Sequence, residues 1–157
     1  MSKKVVLAFS GGLDTSFCVP YLKEQGYEVH TVMVNTGGFS EEEEKAIEAR
    51  ALHLGAASHK NVNAVDTYYS KGIKYLIYGN ILKNATYPLS VSSERVFQAL
   101  EVLKHVKEIG ADAVAHGSTG AGNDQVRFDI VFEVLAPGVE IIAPVRENCF
   151  TRQYEID

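Results

Sequence analysis

The sequence predicts an α/β fold, an open parallel sheet with helices on both faces. Strand-like and helix-like segments alternate along the chain, separated by short turns that contain glycine. The first strand-like run, Val5 to Phe9, is continuously apolar, as a strand covered on both faces must be. The chain has 157 residues, 46% of them hydrophobic and 22% charged, with 13 glycines and 4 prolines. That composition excludes disorder, collagen and coiled coil. The length suits one domain that buries roughly 70% of its unfolded surface. With 15 basic against 20 acidic residues the net charge is −5, which argues against a surface built for nucleic acid or an anionic membrane.

Each element has a local reason. After the Val5 to Phe9 strand, Leu13 to Gln25 reads as a helix that turns at Gly26. Pro20 lies inside it and is expected to kink it, because its N–H is missing. Val29 to Val34 is the second strand. Ser40 is an N-cap and Glu43 completes a capping box. Ile47, Ala51 and Leu54 then form the apolar face of a helix ended by Gly55, and Glu41 to Glu44 make a solvated first turn that favours the helix dipole. Ala56 to Val62 is a third strand. Val65 to Lys83 is helical with breaks near Gly72 and Gly79, and Asn84 to Ser93 is a loop around Tyr87-Pro88. Arg95 to Ile109 is a helix with Val96, Leu100 and Leu103 on one side and Gly110 at its end. Asp112 to Ala115 is a strand, Val126 to Leu135 a helix, and Val139 to Val145 a last strand. Tyr154-Glu155-Ile156-Asp157 reads as the opening turn of another helix, so a larger protein is expected to be cut here. Repeats and linkers are lacking, which makes residues 1–157 one domain.

Cys18 and Cys149 have no CxxC or His-Cys spacing; both are expected to be buried apolar fillers in a reducing compartment. Met1-Ser2-Lys3-Lys4 leads straight into a strand, unlike a signal peptide, and no apolar run approaches transmembrane length. A soluble, cytoplasmic protein is the expectation. Tyr68, Tyr69, Tyr75 and Tyr78, at near-helical spacing, are expected to pack a helix. His30, His53, His59 and His105 show no ligand spacing.

Two loops carry the chemistry. The first strand runs into Ser10-Gly11-Gly12-Leu13-Asp14-Thr15-Ser16 and then a helix. Two glycines let backbone N–H groups approach a ligand. The helix N-terminus adds its positive end, and Ser10, Thr15 and Ser16 offer hydroxyl donors to phosphate oxygens. The Walker A spacing and its lysine are missing, and the adjacent glycines do not fit GxGxxG. Asp14 would repel bare phosphate, so it is expected to meet a cation or to order the loop. A plain turn with Asp14 as helix cap is the alternative. The density of hydroxyls at a strand-to-helix switch favours the anion cradle.

The second loop is Ala115-His116-Gly117-Ser118-Thr119-Gly120-Ala121-Gly122-Asn123-Asp124-Gln125-Val126-Arg127. It too joins a strand to a helix. Asn123 and Arg127 share a helical face, and Arg127 suits bidentate capture of a carboxylate. On these residues alone, a ligand loop and a capped helix with a surface arginine stand equal. His116 reads as a packed, hydrogen-bonded spacer rather than an acid or base.

SGGLDTS is a variant of the SGGxDS signature of pyrophosphate-loop ATP pyrophosphatases. With HGSTGAGNDQVRF, Tyr87-Pro88-Leu89 and Leu135-Ala136-Pro137, the chain resembles the N-terminal nucleotide-binding domain of the argininosuccinate synthase family from Val5 to about Arg152. The resemblance implies a Rossmann-like sheet of the adenine nucleotide alpha hydrolase type. It implies a carbon–nitrogen ligase of arginine biosynthesis and the urea cycle. That ligase joins citrulline to aspartate through a citrullyl-adenylate and releases AMP and pyrophosphate.

By the same resemblance Ser10 to Ser16, with Gly11, Gly12, Leu13, Asp14 and Thr15 between them, hold the departing pyrophosphate, and Ala8 and Phe9 lie beside the nucleotide. Val34 meets adenine, and Ala115, His116, Gly117, Ser118, Thr119, Gly120, Gly122 and Asn123 run along ATP. Thr119, Asn123 and Asp124 hold aspartate; Tyr87, Ser92, Asn123 and Arg127 hold citrulline. Asp14 and Asp124 are the expected catalytic carboxylates, within a catalysis of positioning and charge stabilisation. Magnesium accompanies ATP, although no motif supplies a metal cage. The family's second domain, which completes the citrulline site and makes a tetrameric homo-oligomer, is missing, so the fragment is expected to be inactive alone.

Departures fall beside the citrulline site and, at Ala121, near the nucleotide. The family commonly has YPLGTSLARP where this chain has Tyr87-Pro88-Leu89-Ser90-Val91-Ser92-Ser93-Glu94-Arg95-Val96, and Ala121 replaces the usual lysine. A modified citrulline is therefore an alternative substrate. Another pyrophosphate-loop adenylating enzyme, such as a tRNA-modifying one, and a catalytically silent nucleotide-binding or regulatory module are the competing readings.

Overall fold

The structure, a computed structural model, describes residues 2–150 and 152–156. Met1 and Asp157, the two ends of the expected domain and the latter also the end of its terminal turn, lie outside the described residues, as does Thr151. Five parallel strands form one sheet: β1 (Lys4–Ala8), β2 (Glu28–Asn35), β3 (Ser58–Asn63), β6 (Ala113–His116) and β7 (Glu140–Ile142), in the order β3-β2-β1-β6-β7. A separate antiparallel pair joins β4 (Leu82–Lys83) to β5 (Tyr87–Pro88).

Alternation along β1 divides the core in two. Val5 and Leu7 pack with Cys18, Val19 and Leu22 of α1 (Leu13–Glu24) and with Ile47 and Ala51 of α2 (Glu41–His53). Val6 faces the other way, against Val102 and Val106 of α5 (Ser90–Ile109) and Phe128 and Phe132 of α6 (Asp124–Leu135). Both faces are covered, as the apolar run of β1 requires. The Ser40 capping box forms, with Glu43 N–H donating to Ser40 Oγ and Ser40 N–H donating to the Glu43 carboxylate at 2.8 Å. Among the described residues no helix is long and apolar enough to cross a membrane.

Helix α1 contains Pro20, as expected, and continues past it to Glu24, with Cys18, Val19 and Leu22 buried. Several local expectations change. From Val65 the chain is helical through α3 (Val65–Tyr68), a π-helical turn (Tyr69–Ile73) and α4 (Lys74–Tyr78). Gly72 does not break it: a Cβ there would lie 2.9 Å from the Phe97 ring, so the missing side chain makes room for α5. Leu82–Lys83 leaves the helix as β4. Of the four tyrosines only Tyr68 is buried, against Phe97; Tyr69, Tyr75 and Tyr78 are exposed. Helix α5 begins at Ser90 instead of Arg95, because Tyr68 Oη donates to the Ser90 carbonyl at 2.6 Å and Thr36 Oγ1 donates to Glu94 at 2.5 Å. Val145 belongs to the short α7 (Pro144–Glu147), which Pro144 opens, and not to the last strand. The expected terminal turn is α8 (Arg152–Ile156), and Phe150 stacks on Tyr154 and meets Phe17 edge-on to seat it on α1.

His116 ties three elements together. It is fully buried at the end of β6; Ser118 N–H donates to its Nδ1 at 3.2 Å, so Nε2 carries the proton toward Asp129 of α6 at 2.9 Å. Arg146 of α7 donates to the other Asp129 oxygen. Burial holds the imidazole below its usual pKa in spite of Asp129. Protonation would also remove the acceptor that Ser118 uses. The unfolded chain therefore binds more protons below about pH 6.5, and stability falls as pH drops through that range. His30 and His59, also held low by burial, act in the same direction. Urea midpoints at about pH 7.5 and about pH 5.5 test this. His116→Gln is expected to show a smaller acid loss than the wild type, and an equal loss would remove His116 from the account.

The two thiols differ. Cys18 is fully buried, and burial first, then Glu155 and Asp14, push its thiol up to about 12. Cys149, expected to be buried, is exposed at positive φ in the turn after α7. An aromatic disulfide reagent should label Cys149 alone in the folded chain and both cysteines in urea. Rapid labelling of Cys18 in the native state would contradict this packing.

Candidate functional site

The sheet order puts β1 between β2 and β6, with Ala8 opposite both Val32 and His116. The chain leaving β1 passes to α1 on one face, and the chain leaving β6 passes to α6 on the other. A crevice opens where such connections diverge at the carboxyl ends of parallel strands. Here the two loops touch. A Cβ on Gly117 would lie 3.0 Å from Thr15 Cγ2, 3.1 Å from Thr15 N and 3.2 Å from the Asp14 carbonyl carbon. Gly117 is thus a glycine because the first turn of α1 occupies the space of its side chain.

The first loop is braced from behind. Gly11 has φ +74° and its missing Cβ would lie 3.0 Å from Ile47 Cγ1, while Arg50 of α2 donates to its carbonyl. Thr15 Oγ1 donates to the Gly12 carbonyl at 3.2 Å and lies 3.3 Å from Ser10 Oγ. The N-cap of α1 is Gly12, which supplies no capping side chain. The first N–H groups of a twelve-residue helix are left for an outside acceptor. Ser16 Oγ is buried without a hydrogen-bond partner among the described residues. Asp14 stands beside Glu155 of α8, whose carboxyl is held above its usual range by burial and by Asp14.

The second loop is shaped by Gln125, whose amide donates to the carbonyls of Gly120 and Gly122 at 2.9 and 3.1 Å. On its α6 side Asp124 joins two guanidiniums. Arg95 Nε donates to Oδ2 at 3.1 Å and Arg127 Nη1 to Oδ1 at 2.5 Å, while Arg127 Nη2 donates to Ser92 Oγ at 2.9 Å. Next to this cluster, Glu94 accepts from Thr36 Oγ1 and from Gln98.

Together these parts enclose a cavity of about 800 Å³. Of the residues singled out from sequence, Ala8, Phe9, Ser10, Gly12, Leu13, Asp14 and Thr15 line it from the first loop. Val34 lines it from β2, and His116, Gly117, Ser118, Thr119, Gly122 and Asp124 from the second loop. Gly11, Ser16, Ala115, Gly120 and Asn123 do not line it, and Gly120 and Asn123 are exposed. Ser92 and Arg127 reach it through Asp124, and Tyr87 is exposed in β5. Sequence reasoning missed the α5 wall, Arg95 and Gln98 above all, and Phe39, Phe128 and Arg152. The near-helical spacing of Glu94, Gln98 and Val102 was a usable signal, since positions four apart share one helix face. Among the described residues no group of three or more His, Cys, Asp or Glu could hold a metal ion.

Solved structures share the fold. A 4-thiouridine synthetase in complex with RNA and bound ATP superposes with a TM-score of 0.70 at 18% identity, over 98% of this chain and 39% of that one. An NMN synthetase from Francisella tularensis gives 0.59 at 8% identity, over 75% and 46%. Among curated proteins, an argininosuccinate synthase of Xylella fastidiosa is 49% identical over 158 residues, 98% of this chain and 39% of the relative. One of Hyperthermus butylicus is 48% identical over 150 residues, 95% and 37%. The chain thus spans under two fifths of the curated relatives it matches. The family described as the arginosuccinate synthase N-terminal HUP domain matches residues 4–157, and the chain belongs to it.

Proposed function

We propose that this cavity binds ATP and that the chain is the single ATP pyrophosphatase-type domain of a cytoplasmic carbon–nitrogen ligase. The ligase joins citrulline, or a derivative of it, to aspartate and releases AMP and pyrophosphate. The observation that carries the reading is the meeting of SGGLDTS and HGSTGAGND at Gly117, in a chain that belongs to this family.

The cavity has chemically distinct ends. Ala8, Val32, Val34, Val102 and Phe128 offer an apolar wall suited to a purine. Ser10, Thr15 and the uncapped first turn of α1 offer fixed donors for phosphate oxygens. Charge grows on leaving pyrophosphate, and donors already in place stabilise it without reorganising. Thr119, Asn123 and Asp124 are assigned to aspartate, and Tyr87, Ser92, Asn123 and Arg127 to citrulline. Asp14 and Asp124 act in catalysis by ordering their surroundings; no group is placed as a conventional base. Magnesium travels with the phosphates. The remainder of the family chain completes the citrulline site and assembles the homo-tetramer, and the partners are small molecules rather than nucleic acid or membrane. The isolated chain is expected to bind nucleotide without robust turnover.

Calorimetric titration with magnesium-ATP tests the nucleotide site. Saturable binding is expected, and a Ser10→Ala/Asp14→Ala double variant of unchanged circular dichroism should lose about tenfold or more in affinity. Equal affinity in the variant would move the nucleotide off the first loop. AMP and pyrophosphate appearing in the full-length enzyme only with both amino acids supports the ligase, whereas tight ATP binding without turnover there supports a silent module.

Gly117→Ala provides a geometric test. The new methyl must displace backbone at 3.1–3.2 Å, so a loss of about 1–3 kcal/mol in stability and weaker ATP binding are expected. Gly122→Ala is the control, because its Cβ meets nothing nearer than 3.9 Å. Equal tolerance of both changes would show that the close approach is unimportant.

A further inference from the structure

The residues assigned above to aspartate, Thr119, Asn123 and Asp124, include no cation. An acidic amino acid nevertheless brings two carboxylates, and Asp124 alone would repel them. Among the described residues the cavity wall holds two guanidiniums, Arg95 and Arg152. Arg152 is an exposed residue of α8, on the Asp14 side. Arg95 stands beside the second loop with its side chain 30% exposed, and its orientation is fixed. Nε donates to Asp124 Oδ2 at 3.1 Å and Nη1 to Gln98 Oε1 at 2.8 Å. Glu94 lies 3.9 Å from that same Nη1 and is itself held by Thr36. Nη2 makes no hydrogen bond among the described residues. Arg127 differs, since one of its amines is committed to Asp124 and the other to Ser92.

We infer that Arg95 binds a carboxylate of the acidic amino-acid substrate, and that Asp124 is a positioning residue that fixes Arg95 on one oxygen and Arg127 on the other. A guanidinium oriented in advance loses little side-chain freedom when it takes a carboxylate, and its planar fork matches the ligand's geometry. Bridging by Asp124 also lowers the repulsion between Arg95, which lines the cavity, and Arg127, which does not. The inference rests on the ligase reading, which supplies the acidic amino acid. It adds a residue from α5 to a site so far composed from the second loop.

The test is a titration of the chain, saturated with a non-hydrolysable ATP analogue, with L-aspartate and separately with L-asparagine. Side-chain Nε–H signals of ¹⁵N-labelled arginines are followed, Arg95 being assigned by its loss in Arg95→Lys. Aspartate should move the Arg95 signal and asparagine should not. Arg95→Gln should weaken aspartate about tenfold or more and abolish the preference over asparagine, with analogue affinity kept within about threefold. Arg95→Lys should fall between, keeping charge without the fork. Unchanged aspartate affinity in Arg95→Gln overturns the proposal. Should that variant fail to fold, a wild-type Arg95 signal that stays still while aspartate binds does the same. Nucleotide binding without aspartate binding by the wild type overturns this proposal alone, whereas absence of nucleotide binding removes the ligase reading with it.

Discussion

The backbone of Gly117 lies against the first turn of α1, in space where any other residue would place its Cβ about 3 Å from Thr15 and Asp14. That contact depends on the sheet order. Because β6 pairs with β1 in parallel and their connections leave to opposite faces, the two motif loops meet at the crevice. Arg50 and Ile47 support the loop from α2, and His116 fixes the next residue but one, Ser118, from beneath. The cavity is therefore an outcome of strand pairing more than of loop chemistry. Loosening the pairing or filling Gly117 disturbs the approach of the two loops.

Charge is distributed across that cavity in a way backbone alone would not produce. At the α1 end the fixed donors are N–H groups, hydroxyls and a helix terminus, and the one guanidinium on that side, Arg152, is exposed. At the α6 end they are ionic, with Asp124 between two arginines. Neutral fixed donors suit a multiply charged, departing phosphate chain, since they hold it without binding it as tightly as a cluster of cations would. Fixed guanidiniums suit carboxylates, which must be oriented and not released. The chemical difference between the ends is the strongest structural reason to place phosphates near α1 and amino acids near α6 in the proposed function.

What was legible in the sequence was local. A continuously apolar β1, the Ser40–Glu43 capping box and the left-handed Gly110 at φ +62° each depend on neighbours a few residues away. The first loop was legible for the same reason, and so were the residues of the second loop. Elements set by distant contacts were not. Helix α5 gains its first turn from Tyr68 and Thr36, and Gly72, which resembles a helix breaker, is instead a notch for Phe97. Tyr75 and Tyr78 have the spacing of a packed stripe, yet α4 presents them outward. Spacing shows which residues share a face but not what that face meets. Arg95 escaped notice because its partners, Asp124 and Gln98, lie 29 residues away and one turn away in a helix whose start was misplaced.

Two of the departures from the family's common motifs carry different weight once they are placed in space. Ala121, where a lysine is usual, is exposed and does not line the cavity. Glu94, where alanine is usual, lines the wall and holds Thr36 and Gln98 together beyond the end of β2. Carboxylates with two hydrogen bonds resist displacement, because removing one leaves donors unpaired in a partly dry site. Glu94 therefore stiffens the α5 wall and puts negative charge on it without altering the α1 end. Any change in ligand preference that follows from this sequence should appear in the amino acid selected, leaving the handling of phosphate as the first loop dictates.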